Sequence, residues 1–178
     1  KMKRYIFLFM VPVLAVLFLI NGCQQNIAET GSVPEVDISN VEKLAVGQEA
    51  VAGDIIWVIN ETTDLGTLLI DDGSDAFLET EYGKFIGITF TVENTGQEPR
   101  VLYDLTAIDD KGNSYSICLP AFAFFSPEQA CTLQEIIPGT EHTYSATFDV
   151  DTDVKELVLV LTDLNIPPQN IVYIDLDL

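Results

Sequence analysis

After about residue 50 the chain alternates apolar and polar residues in short runs, as strands do when they bury one face. The clearest run is KFIGITFTVENTG, residues 84–96. In this run and in the earlier run DIIWVIN, the residues expected to face inward are Ile55, Trp57, Ile59, Ile86, Ile88, Phe90 and Val92. Turn sequences such as DDGSD, NTG, DKGN and DVDTD separate the runs. The pattern predicts an all-β, antiparallel sandwich of roughly seven to nine strands.

The first residues follow a different pattern, which is typical of a secretory signal peptide. Lys1, Lys3 and Arg4 precede the uncharged run YIFLFMVPVLAVLFLI. This run is shorter than the ~20 residues of a membrane-spanning helix and contains a proline. The next four residues, Ile20–Cys23, resemble a bacterial lipobox, at which the chain is cut and the cysteine receives lipid. An uncleaved membrane anchor is the alternative, and both place the rest of the chain on the extracytoplasmic side of the cell membrane.

These signals divide the chain into three parts. Residues 1–22 are expected to be a lipoprotein signal peptide, with Cys23 as the lipid attachment site. Residues 23–44 are polar, include Gly31 and Pro34, and predict a flexible tether. Residues 45–178 are expected to form one immunoglobulin-like β-sandwich domain.

The charge of the chain limits its partners. All 28 acidic residues follow Cys23. The basic residues in that part are Lys43, Lys84, Arg100, Lys111 and Lys155. Such a surface repels nucleic-acid phosphates and anionic lipid headgroups, so neither is an expected partner. It is compatible with solubility, with cation binding or with a basic protein partner.

Two cysteines remain once Cys23 is assigned to lipid. Cys118 and Cys131 are an even pair in an oxidising compartment, which predicts a disulfide between them. The alternative is a metal site completed by His142, but the three residues have no recognised ligand spacing. Glu141 and His142 point to opposite faces of a strand, so they predict no catalytic pair, and no catalytic residue is expected.

The order of several segments resembles a bacterial domain of unknown function found in secreted lipoproteins. The segments are residues 85–96, the turn at residues 109–115, Pro138-Gly139 and Phe148 with the closing strand. That family is similar to a secreted mycobacterial immunoprotective antigen and is described as telokin-like. The resemblance spans roughly residues 47–164. It implies an immunoglobulin-like fold and supplies no catalytic residues.

Two acidic turns are candidate calcium sites, because calcium takes several carboxylate oxygens. Their residues are Asp71, Asp72, Asp75, Asp149, Asp151 and Asp153. The second turn is followed by Val154 where an EF-hand has glycine, so it is not an EF-hand. The alternative is that these aspartates make local hydrogen bonds in solvated turns. No other cofactor is expected.

The loop between Cys118 and Cys131 carries the candidate partner-binding residues Phe122, Phe124 and Phe125. Their rings either form an apolar tip that meets a protein partner or cover the open end of the sandwich. The sequence therefore predicts a non-enzymatic, lipid-anchored domain that binds or spaces something at the cell surface. A calcium-dependent surface binding module is the alternative.

Overall fold

The computed structural model describes residues 38–71, 73, 75–126 and 129–178. Within these residues the chain forms the 3-10 helices Ile38–Asn40 and Leu119–Phe124 and thirteen strands. The strands are β1 (Lys43–Ala45), β2 (Glu49–Ala52), β3 (Ile55–Gly66), β4 (Leu68–Ile70), β5 (Phe77–Glu79), β6 (Gly83–Asn94), β7 (Arg100–Leu102), β8 (Thr106–Asp109), β9 (Ser114–Ser116), β10 (Gln134–Ile136), β11 (Glu141–Asp151), β12 (Leu157–Thr162) and β13 (Ile171–Asp175). The all-β prediction is confirmed. The strands outnumber the prediction because several have three residues, too few to show an alternation.

Two facing sheets form the sandwich. One has five strands in the order β1-β13-β12-β8-β9, and the other has four in the order β11-β6-β3-β2. Two smaller sheets pair β10 with β7 and β4 with β5. The pairs are antiparallel, except that β1 runs parallel to β13. The predicted antiparallel sandwich is therefore confirmed, with one parallel pair that the sequence did not indicate.

The long strands β3 and β6 supply much of the core between the sheets. They pair from Ile55 opposite Asn94 to Gly66 opposite Phe85, so they run side by side for the length of the sheet. All seven residues that were expected to face inward are buried. Removing this apolar surface from water is the main driving force for joining the two sheets.

Trp57 links the two sheets directly. Its indole ring is fully buried and lies with its centroid 5.8 Å from that of Phe90. Its Nε1–H donates a hydrogen bond to the carbonyl oxygen of Thr162 on β12, at 3.0 Å. Because a buried indole N–H without an acceptor is costly, this bond fixes the orientation of the ring.

A second, smaller hydrophobic cluster lies on the outer face of the four-stranded sheet. Its buried members are Phe85, Cys118 and Ala121. Leu69 and Leu78 of the β4–β5 hairpin pack against them. Phe85 faces outward because it precedes the inward-facing Ile86 on the same strand. The cluster attaches the β4–β5 hairpin and the helix Leu119–Phe124 to one end of the sandwich.

The described chain is packed against the sandwich from its first residues. Ile38 is buried and packs with Ile108 and Val158 on the outer face of the five-stranded sheet. Residues 38–44 lie within the predicted tether, residues 23–44, and are part of the fold. Residues 1–22, Cys23 and the rest of the predicted tether lie outside the described residues. Among the residues that the structure describes, no helix has the length and hydrophobicity needed to cross a membrane.

The predicted disulfide between Cys118 and Cys131 is wrong, because Cys131 is a free, buried thiol. Cys118 follows β11 closely, with its N–H donating to the Thr147 carbonyl oxygen at 2.7 Å, and its side chain joins the outer cluster. Cys131 instead belongs to the core between the sheets. The two side chains therefore enter opposite faces of the sheet. Burial raises the pKa of the Cys131 thiol to about 12, so the thiol stays protonated.

Candidate functional site

The β4–β5 hairpin exposes apolar side chains on the face that points away from the protein. Leu68, Ile70 and Phe77 are 41%, 63% and 65% exposed. Ile70 lies directly opposite Phe77 in the hairpin, and Leu68 is two residues from Ile70 on the same face. These three residues form the hairpin face. Solvent-exposed aromatic and aliphatic groups that lie side by side are typical of a binding surface.

Acidic residues surround the hairpin face. Glu79 lies opposite Leu68 and is exposed, and Asp75 is exposed in the turn that joins the two strands. Asp71 follows Ile70 directly, and its Oδ1 accepts a hydrogen bond from the N–H of Gly73 at 3.3 Å. An apolar centre with a charged rim is the usual organisation of a protein–protein interface.

A shallow groove of about 90 Å³ lies beside the hairpin, on the outer face of the four-stranded sheet. Leu65 and Phe125 border it, and Gly87 forms part of its floor. A side chain at Gly87 would place its Cβ 2.8 Å from Leu65 Cδ1, so the glycine leaves room for Leu65 and the groove. The groove is large enough for one apolar side chain of a partner.

Asp149 holds the base of the hairpin in place. This carboxylate is buried although β11 directs it to the outer side of the sheet. It accepts hydrogen bonds from the hydroxyl of Thr80, from the N–H of Glu81 at 2.8 Å and from the N–H of Tyr82 at 3.4 Å. The segment that connects β5 to β6 is therefore fixed to β11, and the hairpin face is attached to a rigid support.

The other aspartates of the second acidic turn have separate surroundings. Asp153 pairs with Lys111, with Nζ and Oδ2 2.6 Å apart, and this hydrogen bond lowers the pKa of Asp153. Asp151 ends β11 opposite Gly83. Of the three aspartates predicted to hold calcium at this turn, Asp149 binds the segment before β6 and Asp153 pairs with Lys111, while Asp151 ends β11.

Asp72, in the first acidic turn, lies outside the described residues. Among the residues that are described, no group of three or more His, Cys, Asp or Glu side chains is arranged to hold a metal ion. Calcium binding stays a prediction.

The three phenylalanines predicted to meet a partner are each half-buried. Phe122 packs against the core between the sheets, and Phe125 packs against the outer cluster. Phe124 ends the 3-10 helix between them. The contacts of Phe122 and Phe125 are those of rings that cover the sandwich. Their role in partner binding stays a prediction. The three residues of the hairpin face are more exposed than these rings.

Sequence reasoning missed the hairpin face, although a signal was present. Leu68, Leu69 and Ile70 are three consecutive apolar residues in a strand, so both faces of that strand are apolar. One face packs on the outer cluster, which leaves the other exposed. Phe77 and Leu78 repeat this arrangement across the acidic turn.

Comparison with known proteins identifies the fold and does not assign a family. No protein-family model matches this sequence. No curated protein matches it either. Solved structures with a similar fold match at low sequence identity.

Three of these structures come from bacilli. The yjhA protein from Bacillus subtilis is 15% identical, has a TM-score of 0.54, and the match covers 75% of this chain and 98% of that one. A predicted lipoprotein from Bacillus subtilis, ycdA, is 16% identical with a TM-score of 0.53; the match covers 72% of this chain and 38% of the ycdA chain. A conserved hypothetical protein from Bacillus anthracis is 17% identical with a TM-score of 0.52, over 65% of this chain and 87% of its own. At such identities the likeness shows the fold alone.

Proposed function

We propose that this protein is a lipid-anchored, extracytoplasmic β-sandwich domain that binds a protein partner at the cell surface through the hairpin face. The observation that carries the proposal is the exposure of Leu68, Ile70 and Phe77 on a hairpin that the outer cluster and Asp149 hold in place. Apolar side chains on a rigid support bind at a low entropic cost, because little further ordering is needed. The proposed role is binding rather than catalysis.

The chemistry of the surface defines the class of partner. The hairpin face would receive an apolar patch, and Glu79, Asp75 and Asp71 around it would attract lysine or arginine at the rim of that patch. A bilayer surface is a poorer match, since anionic headgroups would be repelled by the same carboxylates. A protein with an apolar centre and a basic rim therefore fits best.

The anchor rests on the sequence, in which Ile20–Cys23 resembles a lipobox and follows an apolar run. A lipid at Cys23 would keep the domain at the membrane while residues after it reach outward. The likeness of the fold to ycdA is compatible with this arrangement and supports nothing beyond the fold.

Replacing Cys23 with alanine is expected to release the full-length protein from lipid attachment. The wild-type protein should have a mass that begins at Cys23 and includes acyl chains, and it should fractionate with membranes. The variant should lack the lipid mass. A wild-type mass that still includes residues 1–22 would contradict cleavage at the lipobox, although a membrane fraction would then indicate an uncleaved anchor.

Changing both Ile70 and Phe77 to serine is expected to abolish partner binding while leaving the fold intact. Both side chains are mostly exposed, so the thermal midpoint should change little. Binding would be measured by photo-crosslinking from position 68 on intact cells, followed by titration of the purified crosslinked partner. The affinity of the wild-type protein should fall as salt rises, because the rim charges are screened.

The matched control is Val51→Ser, which removes another exposed apolar side chain, 54% exposed. Val51 pairs with Ile56 near the start of β3, at the end of the four-stranded sheet opposite the hairpin. This variant should bind as the wild type does. Equal loss in both variants, or a partner whose binding is independent of salt, would contradict the proposed surface.

A further inference from the structure

A polar cleft lies at the end of the sandwich opposite the hairpin. β3 begins at Ile55 beside the cleft and ends at Gly66 beside the hairpin, so the two regions are about 35 Å apart. The cleft has a volume of about 400 Å³. It is lined by Gly53, Asp54, Arg100, Asp163, Asn165, Gln169 and Asn170. A volume of this size accommodates a small molecule, and the lining favours a polar one.

Asp163 organises one side of the cleft. Its carboxylate is 2% exposed and accepts hydrogen bonds from the N–H groups of Asn165, Gln169 and Asn170 at 3.0–3.2 Å, and from Asn170 Nδ2 at 2.9 Å. Burial raises the pKa of Asp163, but these hydrogen bonds outweigh it and lower the pKa to about 2. The loop between β12 and β13 is thus held around a carboxylate that remains ionised at neutral pH.

The turn between β2 and β3 packs tightly against this loop. Gly53 has a φ of +59°, and a side chain there would place its Cβ 3.1 Å from Asn170 Nδ2 and 3.2 Å from Asp163 Cβ. The next residue, Asp54, is exposed in the cleft, and its carbonyl oxygen accepts a hydrogen bond from the N–H of Thr95 at 2.8 Å. Both sides of the cleft are therefore fixed before any ligand arrives.

Arg100 brings a positive charge to the same cleft. Its side chain is 22% exposed, and its NH1 lies 3.6 Å from an oxygen of Glu98, whose own side chain is 82% exposed. A contact of this length to a solvated carboxylate is weak. The guanidinium keeps N–H donors in the planar arrangement that binds a carboxylate through two hydrogen bonds.

From these charges we infer that the cleft binds a small zwitterion that carries both a carboxylate and an ammonium group, such as a free amino acid or a short peptide. Arg100 receives the carboxylate, and Asp54, in the negative field of Asp163, receives the ammonium group. A purely anionic ligand would be repelled by the two aspartates, and a purely cationic one would leave the N–H donors of Arg100 without a carboxylate to bind. The inference is independent of the hairpin face and of the lipid anchor.

The test is calorimetric titration of the full chain with trialanine, and with alanine to separate a peptide from a free amino acid. Trialanine, alanine or both should bind with a dissociation constant below about 1 mM. Arg100→Gln and Asp54→Asn should each weaken binding about tenfold or more, since each removes a charge-assisted hydrogen bond. Glu98→Gln is the matched control, because Glu98 contacts Arg100 without lining the cleft, and it should bind at least as tightly as the wild type.

Capped peptides make the test independent of how well the variants fold. Amidation of the carboxyl terminus should weaken binding to the wild type as much as Arg100→Gln does, and should cause no further loss in that variant. Acetylation of the amino terminus should weaken binding to the wild type as much as Asp54→Asn does, and should cause no further loss in the Asp54→Asn variant. Equal binding of free and capped peptides, binding of glucose in their place, or no saturation by about 10 mM would overturn the inference.

Discussion

Replacing Asp149 with asparagine is expected to lower the free energy of unfolding by about 3 kcal/mol, because a buried carboxylate that accepts hydrogen bonds from three neighbouring residues is lost. Asparagine has the same shape, but its NH₂ group would face N–H donors of the connecting segment. Denaturant unfolding would measure the loss. Hydrogen exchange at the amides of Glu81 and Tyr82 should accelerate, since the base of the hairpin is released.

Asp153→Asn is the matched control for this prediction. Asp153 belongs to the same acidic turn, but its pair with Lys111 is exposed to solvent. The Asp153→Asn substitution should therefore lower the free energy of unfolding much less than Asp149→Asn does. Hydrogen exchange at the amides of Glu81 and Tyr82 should remain at the wild-type rate. Similar losses in the two variants would mean that Asp149 does not support the hairpin.

Replacing Trp57 with alanine is expected to lower the free energy of unfolding by about 4 kcal/mol, because the largest buried side chain leaves a cavity between the sheets. Trp57→Phe should cost about 1–2 kcal/mol, since it keeps an aromatic ring but leaves the Thr162 carbonyl oxygen without the indole donor. Both values can be measured by denaturant titration. Val51→Ala, at an exposed position of the same sheet, should change stability by less than about 0.5 kcal/mol.

Trp57→Phe also has a local consequence. Thr162 directly precedes Asp163, so loss of the indole hydrogen bond should increase hydrogen exchange in the loop between β12 and β13. If the alanine variant does not fold, the phenylalanine variant still allows this measurement. Unchanged exchange in this loop together with wild-type stability would show that the indole hydrogen bond contributes little.

The core of this sandwich could be predicted from the sequence because its signal is local. In β6, each inward residue is separated from the next by one small or polar residue, so a single strand reveals which face is buried. The same holds for Ile55, Trp57 and Ile59 in β3. The parallel pairing of β1 with β13 could not be predicted in this way, because it joins the two ends of the described chain.

The candidate sites depend on contacts between distant residues. Asp149 and Glu81 are 68 positions apart along the chain, so no pattern in DVDTD reveals that its first aspartate is buried. Asp163 resembles any other aspartate of an acidic chain until the loop that follows it is seen to surround it. The wrong disulfide has a similar cause, because the number of cysteines says nothing about the faces of the sheet that they enter.

The packing of Ile38 and the parallel pairing of β1 with β13 determine how the domain would respond to mechanical tension. A pull on the chain before residue 38 first acts on Ile38, which packs against Ile108 and Val158. It then acts on three residue pairs, from Lys43 with Tyr173 to Ala45 with Asp175. The hairpin face follows β3, which is paired with β6 along its length in the four-stranded sheet. The edge of the five-stranded sheet would therefore yield to tension before the hairpin face is disturbed.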